Sequence, residues 1–172
     1  MACTESIPEG LISLALPADH VDGKVAYREE VRHPALPFPK VATGMLMLES
    51  DGWLVRHQMT PDEEILEIGE TVLRVRQGAD GEANLLPIPS EMRDLFKLLR
   101  NVVVRDHRTV ELGKVSDVEI DVEGWRMPFG KFADDASVWV TGCGSRMRGF
   151  LIQKDDGVER RTTFEIGTDT SG

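Results

Sequence analysis

The sequence predicts a mainly β protein: a strongly curved antiparallel sheet that forms an incomplete β-barrel, with one helix in its mouth. About ten short segments alternate apolar and polar residues and are separated by turn residues, which is typical of antiparallel strands. A clear helical spacing of apolar residues occurs in the segment Ser90–Val103. Because one helix cannot cover the apolar face of so wide a sheet, we expect the sheet to curl around its own core.

A β-meander between Gly44 and Arg76 is the best-defined part of this pattern. Asp51-Gly52 and Gly69-Glu70 are typical hairpin connections, and Pro61 belongs in a turn because it cannot donate to a strand ladder. Strands joined so closely must be antiparallel neighbours. The four predicted strands are Gly44–Glu49, Trp53–Met59, Glu64–Ile68 and Thr71–Arg76.

The chain before the meander contains one strand and several irregular stretches. Met1–Gly10 is polar, and we expect it to be loosely held. The apolar run Leu11–Leu16 fits a short helix or a flap over the core. Lys24–Arg32 alternates apolar and polar residues, which predicts a first strand. The proline-rich loop 33–39 that follows cannot pair regularly.

The chain after the meander contains the predicted helix and then further strands. Ser90 is a suitable N-cap, and Met92, Leu95, Phe96 and Leu99 recur on one side of the helix. The later predicted strands are Ser116–Val122, Trp125–Phe129, Ala136–Thr141, Arg146–Gln153 and Val158–Ile166.

Strict alternation in the segment 116–122 also predicts an orientation. Val118, Ile120 and Val122 share one face, which we expect on the concave, apolar side of the sheet. The acidic residues between them, Asp117 among them, should face solvent. Of Trp125 and Trp139, which lie on later strands, we expect at least one to be largely buried.

Composition indicates a single globular domain over residues 1–172. Hydrophobic residues make up 41% and charged residues 29% of the chain, a ratio typical of folded proteins. No apolar run approaches the ~20 residues of a transmembrane helix. The formal net charge of -10 argues against nucleic acid as a partner, because polyanion binding needs a basic face.

The two cysteines, Cys3 and Cys143, match no metal-binding spacing. Two unpaired thiols are the favoured interpretation, with a disulfide as the alternative. Met1-Ala2-Cys3 is similar to the end of a bacterial lipobox, but it lacks the upstream apolar stretch. A signal peptide was either removed or never present, so lipid anchoring through Cys3 stays open.

Catalytic signatures are weak, and the sequence therefore predicts neither an enzyme nor a cofactor or metal site. The four histidines have no metal-ligand spacing, and His107 has no nucleophile motif beside it. Gly142-Cys143-Gly144 precedes a predicted strand rather than a helix, which indicates a turn and not a phosphate-binding loop.

The meander resembles the outer-membrane lipoprotein carriers, the LolA-like periplasmic proteins. The resemblance rests on Trp53, on the segment from His57 to Leu66 (HQMTPDEEIL), and on Gly69-Glu70-Thr71 leading into another strand. In the second half, Gly124-Trp125 before Met127-Pro128, and Asp156-Gly157 before a last strand, agree with the order of elements in the family.

This resemblance implies an incomplete antiparallel barrel whose apolar cavity holds acyl chains of a lipoprotein, lipid or glycolipid carried across the periplasm. It also implies an inner-membrane release complex and an outer-membrane acceptor as partners. In carriers of this family, an arginine ends the strand before the aromatic one and holds the helical lid shut. The corresponding residue here is Ser50, which cannot make the same multidentate contact.

We therefore expect a monomeric, non-enzymatic periplasmic carrier whose signal peptide, absent from this chain, has been removed. An envelope interaction module with a filled core is the alternative hypothesis, and a hydrolase is the third. The helix Ser90–Val103 is either a mobile lid that meets Met45, Met47 and Trp53 or a fixed plug. The predicted cavity-lining and lid residues are Met45, Met47, Trp53, Met92, Leu95, Phe96, Leu99, Val118, Ile120 and Trp139.

Overall fold

The computed structural model describes Cys3 and residues 11–14, 24–103, 110–114, 118–132, 136–144 and 146–165. Its elements are β1 (Leu11–Leu14), β2 (Lys24–Arg32), β3 (Lys40–Leu48), β4 (Leu54–Thr60), β5 (Glu64–Ile68), β6 (Val72–Gln77), β7 (Asn84–Pro87), α1 (Ser90–Val103), β8 (Val110–Lys114), β9 (Glu119–Asp121), β10 (Gly124–Phe132), β11 (Ala136–Cys143), β12 (Arg146–Lys154) and β13 (Glu159–Phe164). No helix within these residues is long and apolar enough to cross a membrane.

Strand pairing places eleven strands in one sheet, in the order β7-β6-β5-β4-β3-β2-β13-β12-β11-β10-β9. β1 and β8 form a separate antiparallel pair. The strand order ends at β7 and at β9, so the large sheet is open. This arrangement confirms the predicted fold class: a mainly β chain built on one wide antiparallel sheet with almost no helix.

The chain divides into two compact units. The first unit comprises residues 1–18, 30–40 and 107–163, and the second comprises 19–29, 41–106 and 164–172. The single domain expected from composition stays a prediction.

Apolar side chains of β10, β11 and β12 form the core of the first unit. Trp125 is 2% exposed, and its indole Nε1 donates to the Gly144 carbonyl at 2.8 Å, so the polar end of the ring is satisfied. This burial confirms that at least one of the two tryptophans is largely buried; Trp139 is half-buried. The other core side chains of this unit include Met127, Val138, Val140, Met147 and Leu151.

A disulfide joins Cys3 to Cys143 within the first unit, with the two Cα atoms 5.7 Å apart. The backbone N–H of Cys3 also donates to the Val122 carbonyl at 2.9 Å. The expectation of two unpaired thiols is therefore wrong. The two cysteines are 140 positions apart in sequence, and only the folded chain brings them together.

The predicted orientation of the segment 116–122 is also wrong for two of its apolar residues. Ile120 is 70% and Val122 is 79% exposed, and Val118 is half-buried. The reason is position: among the described strands β9 ends the order and pairs with β10 on one side, and all three of its residues are exposed. Asp117 lies outside the described residues.

The meander in the second unit agrees closely with the prediction. The bounds of β2, β5 and α1 are those expected, and β3, β4 and β6 differ from the predicted strands by one to four residues at an end. β7 and β8 were not anticipated, because two prolines interrupt the segment 85–89 and no clear alternation marks 110–114. Leu11–Leu14 is a strand rather than the short helix that its apolar run suggested. The alternative, a flap over the core, stays a prediction.

Register divides the meander into two faces. Directly opposed residues share a face, so Leu54 and Ile68 lie together with Leu73, whereas Val55 and Glu67 lie on the other face with Arg74. The first of these faces contains the most deeply buried side chains of the unit. These are Val25, Tyr27, Leu46, Leu54 and Ile68, and the helix adds Leu95 and Phe96 to the buried set.

Candidate functional site: a cleft beside Trp53

Trp53 is positioned by the tight turn between β3 and β4. Gly52 has a φ of 86°, a left-handed conformation that glycine adopts without steric cost. The Asp51 carboxylate accepts a hydrogen bond from the Trp53 N–H at 3.1 Å, and the Trp53 carbonyl accepts one from the Glu49 N–H at 2.9 Å. Both backbone polar groups of Trp53 are thus paired, which holds the backbone from which the indole projects.

The indole of Trp53 lies against the turn between β5 and β6. A Cβ added to Gly69 would be 3.0 Å from Cη2 and 3.1 Å from Cζ3 of the Trp53 ring. Any side chain at this position would therefore displace the ring. Gly69 also donates its N–H to the Val72 carbonyl at 2.9 Å, which closes the hairpin.

Arg74 covers the other part of the indole. Its guanidinium carbon is 4.1 Å from the centre of the Trp53 ring, the distance of a cation–π contact. Arg74 lies directly opposite Glu67 in the β5–β6 pair, and its Nε is 3.2 Å from Glu67 Oε2. Arg76 reaches the same carboxylate oxygen at 3.0 Å, so two guanidinium groups share one buried carboxylate.

A cleft of about 340 Å³ opens beside this arrangement. Its floor is mostly apolar, and Leu85, which contributes to it from β7, is 65% exposed. β7 ends the strand order, so its outer side has no neighbouring strand within the sheet described above. The cleft is lined by Trp53, Gly69, Glu70, Thr71, Val72, Arg74 and Leu85.

The helix is tied to both ends of the turn that lines the cleft. Ile88, which precedes the helix, donates its N–H to the Thr71 carbonyl at 2.9 Å. Near the other end of the helix, Arg100 Nη2 donates to the Ile68 carbonyl at 3.4 Å. These two hydrogen bonds lie on either side of Gly69 and Glu70, which line the cleft. A movement of the helix would therefore shift residues of the cleft wall.

A second polar cluster lies on the opposite face of the meander, around Tyr27. Arg56 stacks over the Tyr27 ring at 5.1 Å and forms ion pairs with Glu29 (3.3 Å) and Glu64 (3.6 Å). The Tyr27 hydroxyl is buried and has no hydrogen-bond partner among the described residues. Burial raises the pKa of Tyr27 to about 12; the Arg56 cation lowers this pKa, while the Glu29 and Glu64 carboxylates raise it.

Of the predicted site residues, Trp53 lines the cleft. Met45 lies opposite His57 and Met47 opposite Val55, on the same face of the meander as Glu67 and Arg74, and both methionines are half-buried. Whether either methionine or Trp53 meets the helix stays a prediction.

The predicted helix residues fall on the protected side of the helix. Leu95 and Phe96 are buried, and Met92 and Leu99 are half-buried. Trp139 lies in the first unit under Arg126, whose guanidinium carbon is 4.7 Å from the ring centre. Ile120 is 70% exposed and Val118 is half-buried; that either lines a ligand cavity stays a prediction. Val118, Ile120 and Trp139 are not among the residues that line the cleft.

Sequence reasoning missed most of the residues that accompany Trp53. From the sequence, Arg74 and Glu67 are simply polar residues on two predicted strands. Only the register between those strands shows that they are opposed. Leu85 belongs to a strand that was not predicted. The sequence feature that could have revealed the Glu67–Arg74 pair is the Gly69-Glu70 hairpin, because it pairs the end of β5 with the start of β6.

No group of three or more histidine, cysteine or acidic side chains among the described residues could hold a metal ion. A scan against protein-family models finds no match, and a search of curated proteins finds none. Among solved structures, the chain is similar to a LolA superfamily protein from Nitrosomonas europaea. The alignment covers 94% of this chain and 86% of that chain, with a TM-score of 0.42 and 6% sequence identity. Similarity at this level carries no argument about function.

Proposed function

We propose that this protein is a non-enzymatic carrier that binds an acylated ligand, a lipid, glycolipid or lipoprotein, and ferries it across the periplasm to the outer membrane. The cleft beside Trp53 is the observation that carries the proposal. Its volume of about 340 Å³ lies at the lower end of the ~300–1,000 Å³ typical of small-molecule sites. Such sites are mostly apolar and contain a few polar groups, as this cleft does.

Burial of apolar surface would supply the binding free energy. Each methylene group removed from water contributes about 0.8 kcal/mol, so a chain of ~ten carbons is worth ~8 kcal/mol before the costs of ordering. Leu85, which is 65% exposed, offers apolar surface in the floor of the cleft. A ligand covering it would remove protein surface from water as well as its own.

The disulfide supports the proposed compartment. Disulfides persist in oxidising environments such as the bacterial periplasm. Because the Cys3 sulfur is bonded to Cys143, it does not also carry a lipid, and we propose a soluble carrier rather than one anchored through Cys3. An inner-membrane release complex and an outer-membrane acceptor would load and unload it.

The helix would act as a lid on this site. Its contacts through Ile88 and Arg100 flank the turn that lines the cleft, and Ser50 replaces the family's lid-holding arginine. Arg100→Ala removes one contact and should increase uptake of an apolar probe if the helix is a lid. Leu95→Glu is the stronger test: a lid variant stays folded and binds more probe, whereas a plug variant unfolds because a carboxylate is buried without a partner.

An envelope interaction module is the second candidate. Both end strands of the sheet order expose apolar side chains: Leu85 and Leu86 near β7, and Ile120 and Val122 near β9. Exposed apolar residues at strand edges are typical of surfaces that pair with another chain.

Binding of fluorescently labelled dodecanoate distinguishes the two candidates. Leu85→Glu should weaken micromolar probe binding about tenfold or more, because it places a charge in the apolar floor. Ile120→Glu is the matched control, since Ile120 is similarly exposed (70% against 65%) on the opposite end strand. It should leave binding unchanged.

Two outcomes would overturn the carrier proposal. The wild-type protein would bind no probe, or both variants would lose binding equally. Either result would favour the interaction module. Native mass spectrometry of protein purified from a bacterial envelope, followed by lipid extraction, gives an independent measurement: a carrier should retain an acylated molecule.

A further inference from the structure

The charged groups next to Trp53 include two arginines and one buried carboxylate. Glu67 is the shared carboxylate partner of Arg74 and Arg76, and the Glu67 side chain is 11% exposed. Two cations thus share one carboxylate among the described residues, and this group of three carries one net positive charge. Glu70 also lines the cleft, but it is exposed at the turn, where water and salt weaken its charge to a small residual effect on an anion in the cleft.

Arg74 retains hydrogen-bonding capacity. Its Nε is buried and has no hydrogen bond of acceptable geometry, although Glu67 is nearby. The ion pair of Arg74 with Glu67 is made through Nε, and the Arg74 side chain is 31% exposed. The group therefore keeps donors that a ligand can reach.

Stacking on Trp53 orients these donors. The guanidinium carbon lies over the Trp53 ring at 4.1 Å from its centre, and the N–H groups of a guanidinium lie in its own plane and point outward from its edge. A guanidinium held in this way presents the planar fork that matches the oxygens of a carboxylate or phosphate. Because the stack restricts the side chain beforehand, less conformational freedom is lost when an anion binds.

We propose that the cleft takes an amphiphile with an anionic group, which Arg74 binds, and an apolar chain, which lies across Trp53, Val72 and Leu85. This inference rests on the carrier function proposed above and adds the chemistry of the ligand's head group. Carboxylates are planar and phosphate esters are tetrahedral. Both present negatively charged oxygens that a guanidinium can bind.

Binding of short single-chain amphiphiles below their micelle concentrations tests the inference. Wild-type protein should bind dodecanoate or dodecyl phosphate about tenfold more tightly than dodecanol, the increment typical of a charge-assisted hydrogen bond. Inorganic phosphate and vesicles of anionic phospholipid are measured alongside. Preference for dodecanoate indicates a free acid, and preference for dodecyl phosphate or vesicles indicates a phospholipid.

Arg74→Gln should abolish the preference for the anion and keep the affinity for dodecanol. Arg126→Gln is the matched control, because Arg126 also stacks on a tryptophan and pairs with a glutamate but lies in the first unit. The Arg126→Gln variant should prefer dodecanoate over dodecanol as strongly as the wild type does. Glu70→Gln, at an exposed position that tolerates substitution, should strengthen dodecanoate binding about twofold to threefold and leave dodecanol binding unchanged.

Equal affinity of the wild type for dodecanol and dodecanoate would overturn this inference and leave the carrier function standing. Absence of binding for all the amphiphiles would overturn the carrier function itself. An equal loss of anion preference in Arg74→Gln and Arg126→Gln would also overturn the inference, because it would indicate a general charge effect. If Arg74→Gln fails to fold, an unchanged dodecanoate affinity in Glu70→Gln overturns the inference instead.

Discussion

Each of the two units contains an arginine that stacks on a tryptophan and lies directly opposite a glutamate on the neighbouring strand. In the first unit, Arg126 stacks on Trp139 and binds Glu119 at 2.6 Å. In the second unit, Arg74 stacks on Trp53 and lies 3.2 Å from Glu67. The local pairing is the same, but the surroundings of the carboxylate differ.

Glu119 belongs to the end strand β9, and its side chain is 56% exposed; Glu67 belongs to the interior strand β5 and is 11% exposed. Exposed ion pairs contribute about 0–1 kcal/mol, because water solvates both charges equally well when they are apart. A buried carboxylate has lost that hydration, and it is retained with two arginines around it. The position of a strand in the sheet thus decides whether one cross-strand pair is a solvated surface contact or part of a dehydrated cluster beside a cleft.

Replacing Trp125, the residue before Arg126, should lower the free energy of unfolding more than any other change predicted below. Trp125→Ala removes a ring that is 2% exposed and a hydrogen bond to Gly144, and should cost about 3–5 kcal/mol of unfolding free energy. Trp53→Ala should cost clearly less, because Trp53 is half-buried at the rim of the cleft. Equilibrium urea unfolding measures both, and a shift below about 1 kcal/mol for Trp125→Ala would contradict the assigned burial.

Removing the disulfide should lower stability by about 2–5 kcal/mol, because it closes a loop of most of the chain. The double variant Cys3→Ser, Cys143→Ser should unfold at a lower urea concentration than the oxidised wild type. Reductant should shift the wild type toward the double variant and leave the double variant unchanged. Equal unfolding midpoints for the oxidised wild type and the double variant would exclude a stabilising disulfide.

Glu67→Gln and Glu119→Gln compare the two carboxylates directly. Glu67→Gln leaves two arginines facing each other without a counter-charge and should cost about 1–3 kcal/mol, less than a fully buried pair because the arginines are partly exposed. Glu119→Gln should cost about 0–1 kcal/mol. Urea unfolding at low and high salt provides the measurement, and equal costs would remove the distinction between the two pairs.

Tyr27 provides an effect that is visible only at high pH. Its folded-state pKa of about 12 lies above the ordinary value of 10.0, so the folded state holds the proton more tightly. The stabilisation is complete below pH ~10 and is lost as the pH rises through ~12; at pH 11 the loss is about 1.4 kcal/mol.

Tyr27→Phe is the control for this titration, because it keeps the ring and removes an unpartnered hydroxyl. Urea unfolding at pH 9 and pH 11 should show a larger loss of stability for the wild type than for the variant. The same pH dependence in both proteins would mean that other groups are responsible.

The sequence alone determined the elements whose signals are local. Ser90–Val103 combines an N-cap with helical spacing, and Lys24–Arg32 and Glu64–Ile68 combine alternation with adjacent turn residues, so their bounds agree with the structure. These signals depend on backbone preferences and on the periods of helix and strand, which neighbouring residues set.

The tertiary structure decided burial, register and pairing. A period of two shows that Ile120 and Val122 share a face, but only the position of β9 at the end of the sheet order leaves that face in water. Arg74 meets Glu67 and Trp53 through the register of β5 with β6 and the hairpin at Gly69. Cys3 and Cys143 meet across 140 positions. All of these contacts join residues that are distant in sequence or on different strands, and the free energy that selects them comes from packing the whole chain.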